Sequence, residues 1–179
     1  MHHPVRLFFI RAAIIDRQKK TAVTTGEAMI RLCPVSKDNW EACVDLEVRE
    51  DQEDFVASNV YSLAQLQFVN NFSADVIYDD ETMIGFAMYG IDDDDGMFWI
   101  WRFMLDAQFQ GKGLGKAAFA ALLEKITAMN NAREQPLPWL RLSYEPENEF
   151  AKHFYQRFGF KVVQMMDFGE EMAQMPLSS

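Results

Sequence analysis

Three glycines and two lysines stand directly before an apolar stretch in "QFQGKGLGKAAFAALLEKI", residues 108–126. Glycines let backbone N–H groups close around an anion, and the first turn of a helix adds partial positive charge. Lys112 and Lys116 would bring two full charges to the same place. The segment therefore predicts a phosphate-binding loop, and the alternative is a plain glycine-rich turn before an amphipathic helix.

The loop departs from the two common nucleotide-binding motifs. A P-loop requires G-x-x-x-x-G-K-[ST], but the span from Gly111 to Gly115 is one residue short and Ala117 replaces the magnesium-binding hydroxyl. A dinucleotide fingerprint can be forced onto Gly113, Gly115 and Ala118, yet it belongs in an early βαβ unit and this loop comes late. The remaining interpretation, a pyrophosphate held by backbone N–H groups and lysines, needs no metal.

Acidic residues recur at helical spacing in "DLEVREDQED", residues 45–54. Glu47, Asp51 and Asp54 are four and three residues apart, which would place them on one face of a helix. Like charges at that spacing repel by a few tenths of a kcal/mol per pair. A bound polycation would offset this repulsion, so the stripe is a candidate substrate-binding site; a solvated acidic face is the alternative.

The aromatic residues Trp99, Trp101 and Phe103 alternate along one predicted strand. Alternation predicts that they share a face, which favours a role in the core over a cation–π site. The run Asp92–Asp95 before them is predicted to be a solvated turn.

Charge excludes some partners. The chain carries a net charge of −10 and residues 1–28 contribute +3, so residues 29–179 carry −13. Such a surface repels nucleic acid and anionic membranes and favours a cationic ligand, although acidity for solubility alone is an equal alternative.

Hydrophobic periodicity predicts one α+β domain from about Met29 to residue 179, with residues 1–28 as an extension outside the core. The predicted order is β, α, α, β, β, β, α, β, α, β. The predicted strands are 29–35, 74–80, 82–92, 97–105, 136–146 and 160–168, and the predicted helices are 36–50, 55–69, the segment after the glycine loop, and 148–159. Two cysteines and no secretion signal predict a reducing, cytoplasmic setting.

Two motifs in these elements resemble the GNAT superfamily of N-acetyltransferases. Gln110, Gly113 and Gly115 match its Q/R-x-x-G-x-G/A signature after the apolar strand end "FML", and "NEFAKHFYQRFGF" matches its second signature. Within the superfamily, residues 39–65, "WIWRFM" and "LSYEPENE" are similar to bacterial spermine/spermidine acetyltransferases. The resemblance covers about residues 29–168.

The resemblance implies a mixed central sheet flanked by helices, with the fourth and fifth strands splayed around acetyl-CoA and no metal. The backbone at Met104 and Leu105 would pair with the pantetheine arm, and the Asn148 side chain would bond its amide. The pyrophosphate would be wrapped by the loop Gln110, Gly111, Lys112, Gly113, Leu114, Gly115 and Lys116. The family often forms homodimers, so a homodimer stays open.

Two residues are candidate catalysts. The same resemblance implies that Tyr155 would lie by the sulfur of acetyl-CoA. A phenol of pKa about 10 suits protonation of a leaving thiolate. Glu145 leaves the fifth strand beside the gap and is the candidate base, with a role in the "EPEN" turn as the alternative. A strand N–H near Leu105 would meet the oxyanion. Cys33 and Cys43 lie in the first strand and helix, which favours direct attack over an acyl-enzyme.

Together these features predict an acetyl-CoA-dependent N-acetyltransferase for a small cationic amine, a polyamine such as spermidine or spermine. The alternatives are the same chemistry on an aminoglycoside or a protein N-terminus, and a non-catalytic acyl-CoA-binding regulator.

Overall fold

The structure, a computed structural model, describes residues 29–177, which form one seven-stranded mixed sheet in the order β1-β2-β3-β4-β5-β7-β6. The strands are β1 Ile30–Pro34, β2 Phe72–Asp79, β3 Thr82–Ile91, β4 Phe98–Leu105, β5 Trp139–Tyr144, β6 Lys161–Met165 and β7 Glu171–Pro176. The helices are α1 Trp40–Val44, α2 Asn59–Gln65, α3 Leu114–Asn131 and α4 Glu149–Gln156. The predicted α+β class is confirmed, and the prediction for residues 1–28 lies outside the described residues.

Strands β1 to β4 form an antiparallel meander. A tight acidic turn joins β2 to β3, and Asp80 adopts the left-handed conformation there, with φ of 52°. Aspartate tolerates that conformation better than most residues, because its short side chain bonds locally.

Strands β4 and β5 are parallel but pair at two positions only, Phe98 with Leu140 and Trp99 with Arg141. Beyond these pairs the strands separate, which opens the sheet between their carboxyl ends. The splay that the resemblance implied is confirmed.

Each face of the sheet has its own apolar cluster. The larger cluster contains Phe119, Leu122 and Ile126 of α3, all fully buried. The smaller cluster lies beside α1 and contains Cys43, Val76 and Phe86. The sheet is therefore covered on both sides, which fixes β4 and β5 as rigid walls of the gap.

A β-bulge in β4 makes the predicted shared face of its aromatic residues wrong. Met88 of β3 pairs with Arg102 and Tyr89 with Ile100, so Trp101 is the extra residue. The bulge inverts the alternation. Phe103 packs on Phe119 at 4.9 Å between ring centroids, whereas Trp101 packs at 3.9 Å on Phe72, in the other cluster.

Two further element predictions are wrong. The helix predicted over residues 36–50 ends at Val44, and the sequence pattern missed β7. That strand reads "EMAQMP", in which polar residues and a proline obscure the alternation of apolar and polar residues. Its position is fixed by pairing with β5 on one side and β6 on the other. Among the described residues, no helix is long and apolar enough to cross a bilayer.

Candidate active site

The separation of β4 and β5 creates a cleft of about 1140 Å³. Ile100 to Leu105 of β4 line one wall, and Leu142, Ser143 and Tyr144 of β5 line the other. Because β5 has diverged, the edge of β4 that faces the gap has no strand partner there. Unpaired backbone groups on such an edge are available to an extended ligand.

The glycine loop lies at the carboxyl end of β4 and lines the same cleft. Gly111 and Gly113 have φ of 73° and 82°, values that only glycine adopts readily. A β-carbon at either position would meet no atom within 4 Å, so these glycines are required by backbone conformation and leave open space above the loop.

The loop leads directly into α3, an 18-residue helix whose N-cap is Gly113. The first N–H groups of a helix have no partner within it, and Gly113 has no side chain to accept one. These groups and the helix dipole favour an anion at this point. The predicted anion-binding geometry is therefore present at the end of the cleft.

The seven predicted loop residues divide into two groups. Five of them line the cleft: Gln110, Gly111, Gly113, Gly115 and Lys116. Lys112 does not; its Nζ lies 5.5 Å from the centre of the Phe109 ring. Leu114 packs against the larger apolar cluster. Their roles in cofactor binding stay predictions, with Lys116 better placed than Lys112.

Gln110 orders the loop relative to β4. Its Nε2 donates to the Leu105 carbonyl at 2.9 Å and to Gln52 Oε1 at 2.8 Å. The bond to Leu105 occupies one backbone acceptor at the strand end. Met104 and Leu105 both line the cleft, as the prediction for the pantetheine arm requires.

Asn148 caps α4 at the opposite wall, where its Oδ1 accepts from the Ala151 N–H at 2.9 Å. The cap occupies the oxygen, which leaves the amide nitrogen as the group that can donate to a ligand. Asn148 lines the cleft, so the structure is compatible with its predicted role.

Tyr155 lies on α4 with its ring between the core and the cleft. The ring centroid is 5.2 Å from that of Phe119 and 6.0 Å from that of Tyr144. Burial raises the pKa of the Tyr155 hydroxyl, and the neighbouring Tyr144 raises it further. Tyr155 is therefore protonated throughout the physiological pH range, which suits a proton donor and not a base.

Glu145 follows β5 and lines the cleft. Its carbonyl accepts from the Asn148 N–H at 2.9 Å, which closes the turn into α4. The backbone of Glu145 thus has the structural role considered as the alternative, and its role as the base stays a prediction.

The acidic segment does not form one α-helix: Glu47 lies outside any element, Asp51 lies in a single 3-10 turn, Glu50–Gln52, and Asp54 follows it in a turn. The predicted common helix face of the three residues is therefore wrong. Glu47 donates its N–H to Asp106 Oδ2 at 3.1 Å and accepts from the Ala107 N–H at 2.8 Å. These long-range bonds hold the chain extended after α1. Only Asp54 of the three lines the cleft, and Asp51 pairs with Arg49 at 3.2 Å.

Sequence reasoning missed a different acidic group, at the turn between β3 and β4. Asp92, Asp94 and Asp95 line the cleft beside Trp99 and Trp101. Burial raises the pKa of Asp92, and the charges of Asp95 and Asp94 add to the rise against an opposing hydrogen bond from the Asp94 N–H. The turn directly precedes the strand that leads to the glycine loop. This position in the sequence could have predicted that the turn lies at the same cleft.

Two residues of this region hold the aspartate turn on the sheet. Asp95 Oδ2 accepts from the Trp99 indole at 2.9 Å and from Arg141 Nη1 at 2.6 Å. Arg141 neutralises Asp95, so Asp92 and Asp94 are the carboxylates of the turn left to attract a cation in the cleft. Neither Cys33 nor Cys43 lines the cleft.

A model of the Acetyltransferase (GNAT) family matches residues 40–160, which include both cleft walls, the glycine loop and Tyr155. The chain belongs to this family.

Known relatives of this GNAT protein support the assignment. It is 31% identical over 148 residues to the spermine/spermidine N(1)-acetyltransferase of Bacillus subtilis strain 168, covering 79% of this chain and 94% of that protein. Its fold is similar to spermidine N-acetyltransferase from Vibrio cholerae, solved with CoA and spermine, with a TM-score of 0.65, 16% identity, and coverage of 83% and 95%. The ribosomal-protein-S18-alanine N-acetyltransferase of Escherichia coli is similar too, with a TM-score of 0.63, 16% identity, and coverage of 84% and 96%.

The residues of this GNAT chain fit coenzyme A. The loop with two left-handed glycines at the α3 N-terminus provides N–H donors for a pyrophosphate. The exposed edge of β4 and the Asn148 amide provide partners for an extended arm with amide groups. Tyr155 lies in the same cleft, so a thioester carried at the tip of that arm would meet a proton donor.

Proposed function

We propose that this protein transfers the acetyl group of acetyl-CoA to a primary amine of a polyamine such as spermidine or spermine. One observation carries the proposal: a single cleft contains a glycine loop at a helix N-terminus after β4 and a carboxylate-rich turn before β4. At about 3.3 Å per residue, the eight residues of β4 separate these two sites by roughly 25 Å. One site suits an anionic cosubstrate and the other a polycation.

The cosubstrate supplies an activated thioester. Tyr155 donates its phenolic proton to the departing thiolate as the new C–N bond forms and the C–S bond breaks. The unpaired edge of β4 near Leu105 offers backbone N–H groups to the carbonyl oxygen as negative charge develops there. The chain's side chains and backbone thus provide an acid and an oxyanion stabiliser without a metal.

The amine must lose its proton before it attacks, because only the neutral nitrogen has a free electron pair. Glu145 is the proposed base, acting directly or through water, since its side chain is at the cleft beside Tyr144. Glu145 accepts the proton that leaves the ammonium group, whereas Tyr155 donates a proton to the leaving thiolate.

The carboxylates of the aspartate turn account for a polycationic substrate. A second ammonium on the substrate would be attracted by Asp92 and Asp94, and its methylene chain would lie against Trp99 and Trp101. A monoamine lacks that second charge. The relatives named for spermine and spermidine support this substrate class.

We also propose the reducing cytoplasm as the compartment, because the described chain keeps two unpaired cysteines. The homodimer implied by the family resemblance stays a prediction, and sedimentation velocity measures it.

Initial-velocity kinetics with acetyl-CoA and spermidine, together with the mass of the product, test the proposal. Direct attack in a ternary complex predicts intersecting double-reciprocal lines and a product heavier by one acetyl group. Parallel lines with an acetylated cysteine on the protein would contradict direct attack, and an unmodified amine would contradict the function.

A further inference from the structure

A buried carboxylate connects three elements next to the proposed acid. Glu171 of β7 lies opposite Tyr144 of β5 in the strand register. Its Oε1 accepts from Lys152 Nζ of α4 at 3.1 Å, and its side chain is only 15% exposed. The other oxygen, Oε2, is buried and has no hydrogen-bond partner among the described residues. Glu171 does not itself line the cleft.

Tyr144 faces this carboxylate and stays protonated. Burial raises its pKa to about 12, and the charge of Glu171 contributes, with Glu149 of α4 adding a smaller share. Because the two residues are directly opposite in an antiparallel pair, the Tyr144 ring and the Glu171 carboxylate are cross-strand neighbours on one face of the sheet. The ring packs along its length against the larger apolar cluster.

The ring of Tyr144 stacks on the ring of Tyr155, with centroids 6.0 Å apart and planes inclined by 25°. Tyr155 is three residues from Lys152 on α4. Glu171 therefore lies opposite the residue whose ring stacks on the proposed acid and pairs with the helix that carries that acid.

We propose that Glu171 is a positioning residue which, through Tyr144 and Lys152, fixes the ring of Tyr155 in the orientation for proton donation. The inference rests on the proposed function of Tyr155. An apolar side chain at this place would avoid the cost of burying a carboxylate. The carboxylate at this place therefore has to act through its two neighbours, Tyr144 and Lys152.

A double-mutant cycle separates positioning from general stability. Glu171→Ala is expected to lower kcat about 10-fold while KM for acetyl-CoA stays within about 2-fold, because Glu171 does not touch either substrate. In the Tyr155→Phe background the same change is expected to leave kcat unaltered, since no hydroxyl remains to be oriented. Glu171→Gln keeps a polar side chain of the same length opposite Tyr144 and an oxygen that can accept from Lys152, so it is expected to retain most of kcat.

Lys125→Met is the matched control. Lys125 pairs with the buried Asp75 at 2.7 Å and does not line the cleft. The variant breaks a second buried ion pair, so it lowers the melting temperature and leaves kcat unaltered. An equal loss of kcat from Glu171→Ala in both backgrounds, or an equal loss in Lys125→Met, overturns the inference, and so does wild-type kcat in Glu171→Ala.

Tyrosinate absorbance during an alkaline titration, taken as the difference between each protein and the same protein carrying Tyr144→Phe, provides a readout of Tyr144 without turnover. Glu171→Gln is expected to lower the pKa of Tyr144 from about 12. An unchanged titration overturns the inference even if no amine is acetylated, whereas a lowered pKa with a silent wild-type enzyme contradicts only the proposed function.

Discussion

Trp99 of β4 and Arg141 of β5 are the last residues that pair before the two strands separate. Both donate hydrogen bonds to Oδ2 of Asp95, at 2.9 and 2.6 Å. The aspartate thus holds the apex of the cleft closed and fixes the acidic turn on the sheet. The geometry of the gap between β4 and β5 and the placement of the carboxylates proposed to bind substrate are coupled through this one side chain.

Gly113→Glu should abolish binding of coenzyme A. The added carboxylate would enter the open space above the loop, where it would compete with a pyrophosphate for the helix N-terminus and repel it. Calorimetry with coenzyme A measures the loss.

Gly159→Glu is the matched control for that variant. Gly159 also has a positive φ, 95°, a β-carbon added there would meet no atom within 4 Å, and the residue does not line the cleft. The change introduces the same strain and charge, so coenzyme A affinity should persist. Native affinity in Gly113→Glu would show that the loop does not bind the pyrophosphate.

Tyr155→Phe should lower kcat roughly 10- to 1000-fold, because a general acid contributes on that order and water can substitute in part. KM for acetyl-CoA should change little, since the ring and its packing on Phe119 remain. Steady-state kinetics at saturating amine measure both constants. Turnover at the wild-type rate would remove Tyr155 from the mechanism.

Asp92→Asn should raise KM for spermidine about 10-fold or more and leave KM for acetyl-CoA unaltered, because the carboxylate lines the cleft near the Trp residues and away from the glycine loop. Asp93→Asn is the matched control. Asp93 faces Asn70 and Asn71 outside the cleft and carries the same charge. Equal effects of the two changes would indicate general electrostatic attraction and no specific site.

The effect on KM for spermidine also distinguishes among the acidic residues after α1. Asp54→Asn should raise KM for spermidine, because Asp54 lines the cleft. Glu47→Gln combined with Asp51→Asn should not, since neither lines it. If both variants have the native KM, the acidic residues of this segment only add charge to the surface.

Stability should fall above about pH 9. Burial raises the pKa of the Cys43 thiol and of Tyr144 to about 12, and burial raises the pKa of Tyr89 as well. In alkali the unfolded chain releases protons that the folded chain keeps, so the free energy of unfolding falls by about 1.4 kcal/mol per pH unit for each such group.

Urea denaturation from about pH 8 to about pH 11 measures this decline. Cys43→Ala should remove the part that begins near pH 9.0, the ordinary thiol pKa, and leave the part that begins near 10.0, the tyrosine value. A flat profile across this range would contradict the burial of these groups.

The sequence predicted those parts of the site that depend on local chemistry. Glycines at 111 and 113 before an apolar run predicted the turn and the start of α3, and Asn148 marks the start of α4. The separation of β4 and β5 followed only from the family resemblance, because no local pattern encodes where two parallel strands stop pairing.

The features that the sequence did not predict depend on distant residues. Asp106 accepts a hydrogen bond from the Glu47 N–H, although the two residues are 59 positions apart in the sequence. This bond helps to end α1. The bulge at Trp101 exists only relative to β3. Arg141, on another strand, pairs with Asp95. This pairing leaves Asp92 and Asp94 as the carboxylates of the turn that can attract a cation in the cleft, and no local pattern shows it.

Thiol release from acetyl-CoA across a panel of amines tests the proposed acetyl transfer to polyamines most directly. We expect rapid release with spermidine and spermine and little with kanamycin, short peptides or a monoamine of similar length. No release with any polyamine, from a protein that binds coenzyme A tightly, would contradict it.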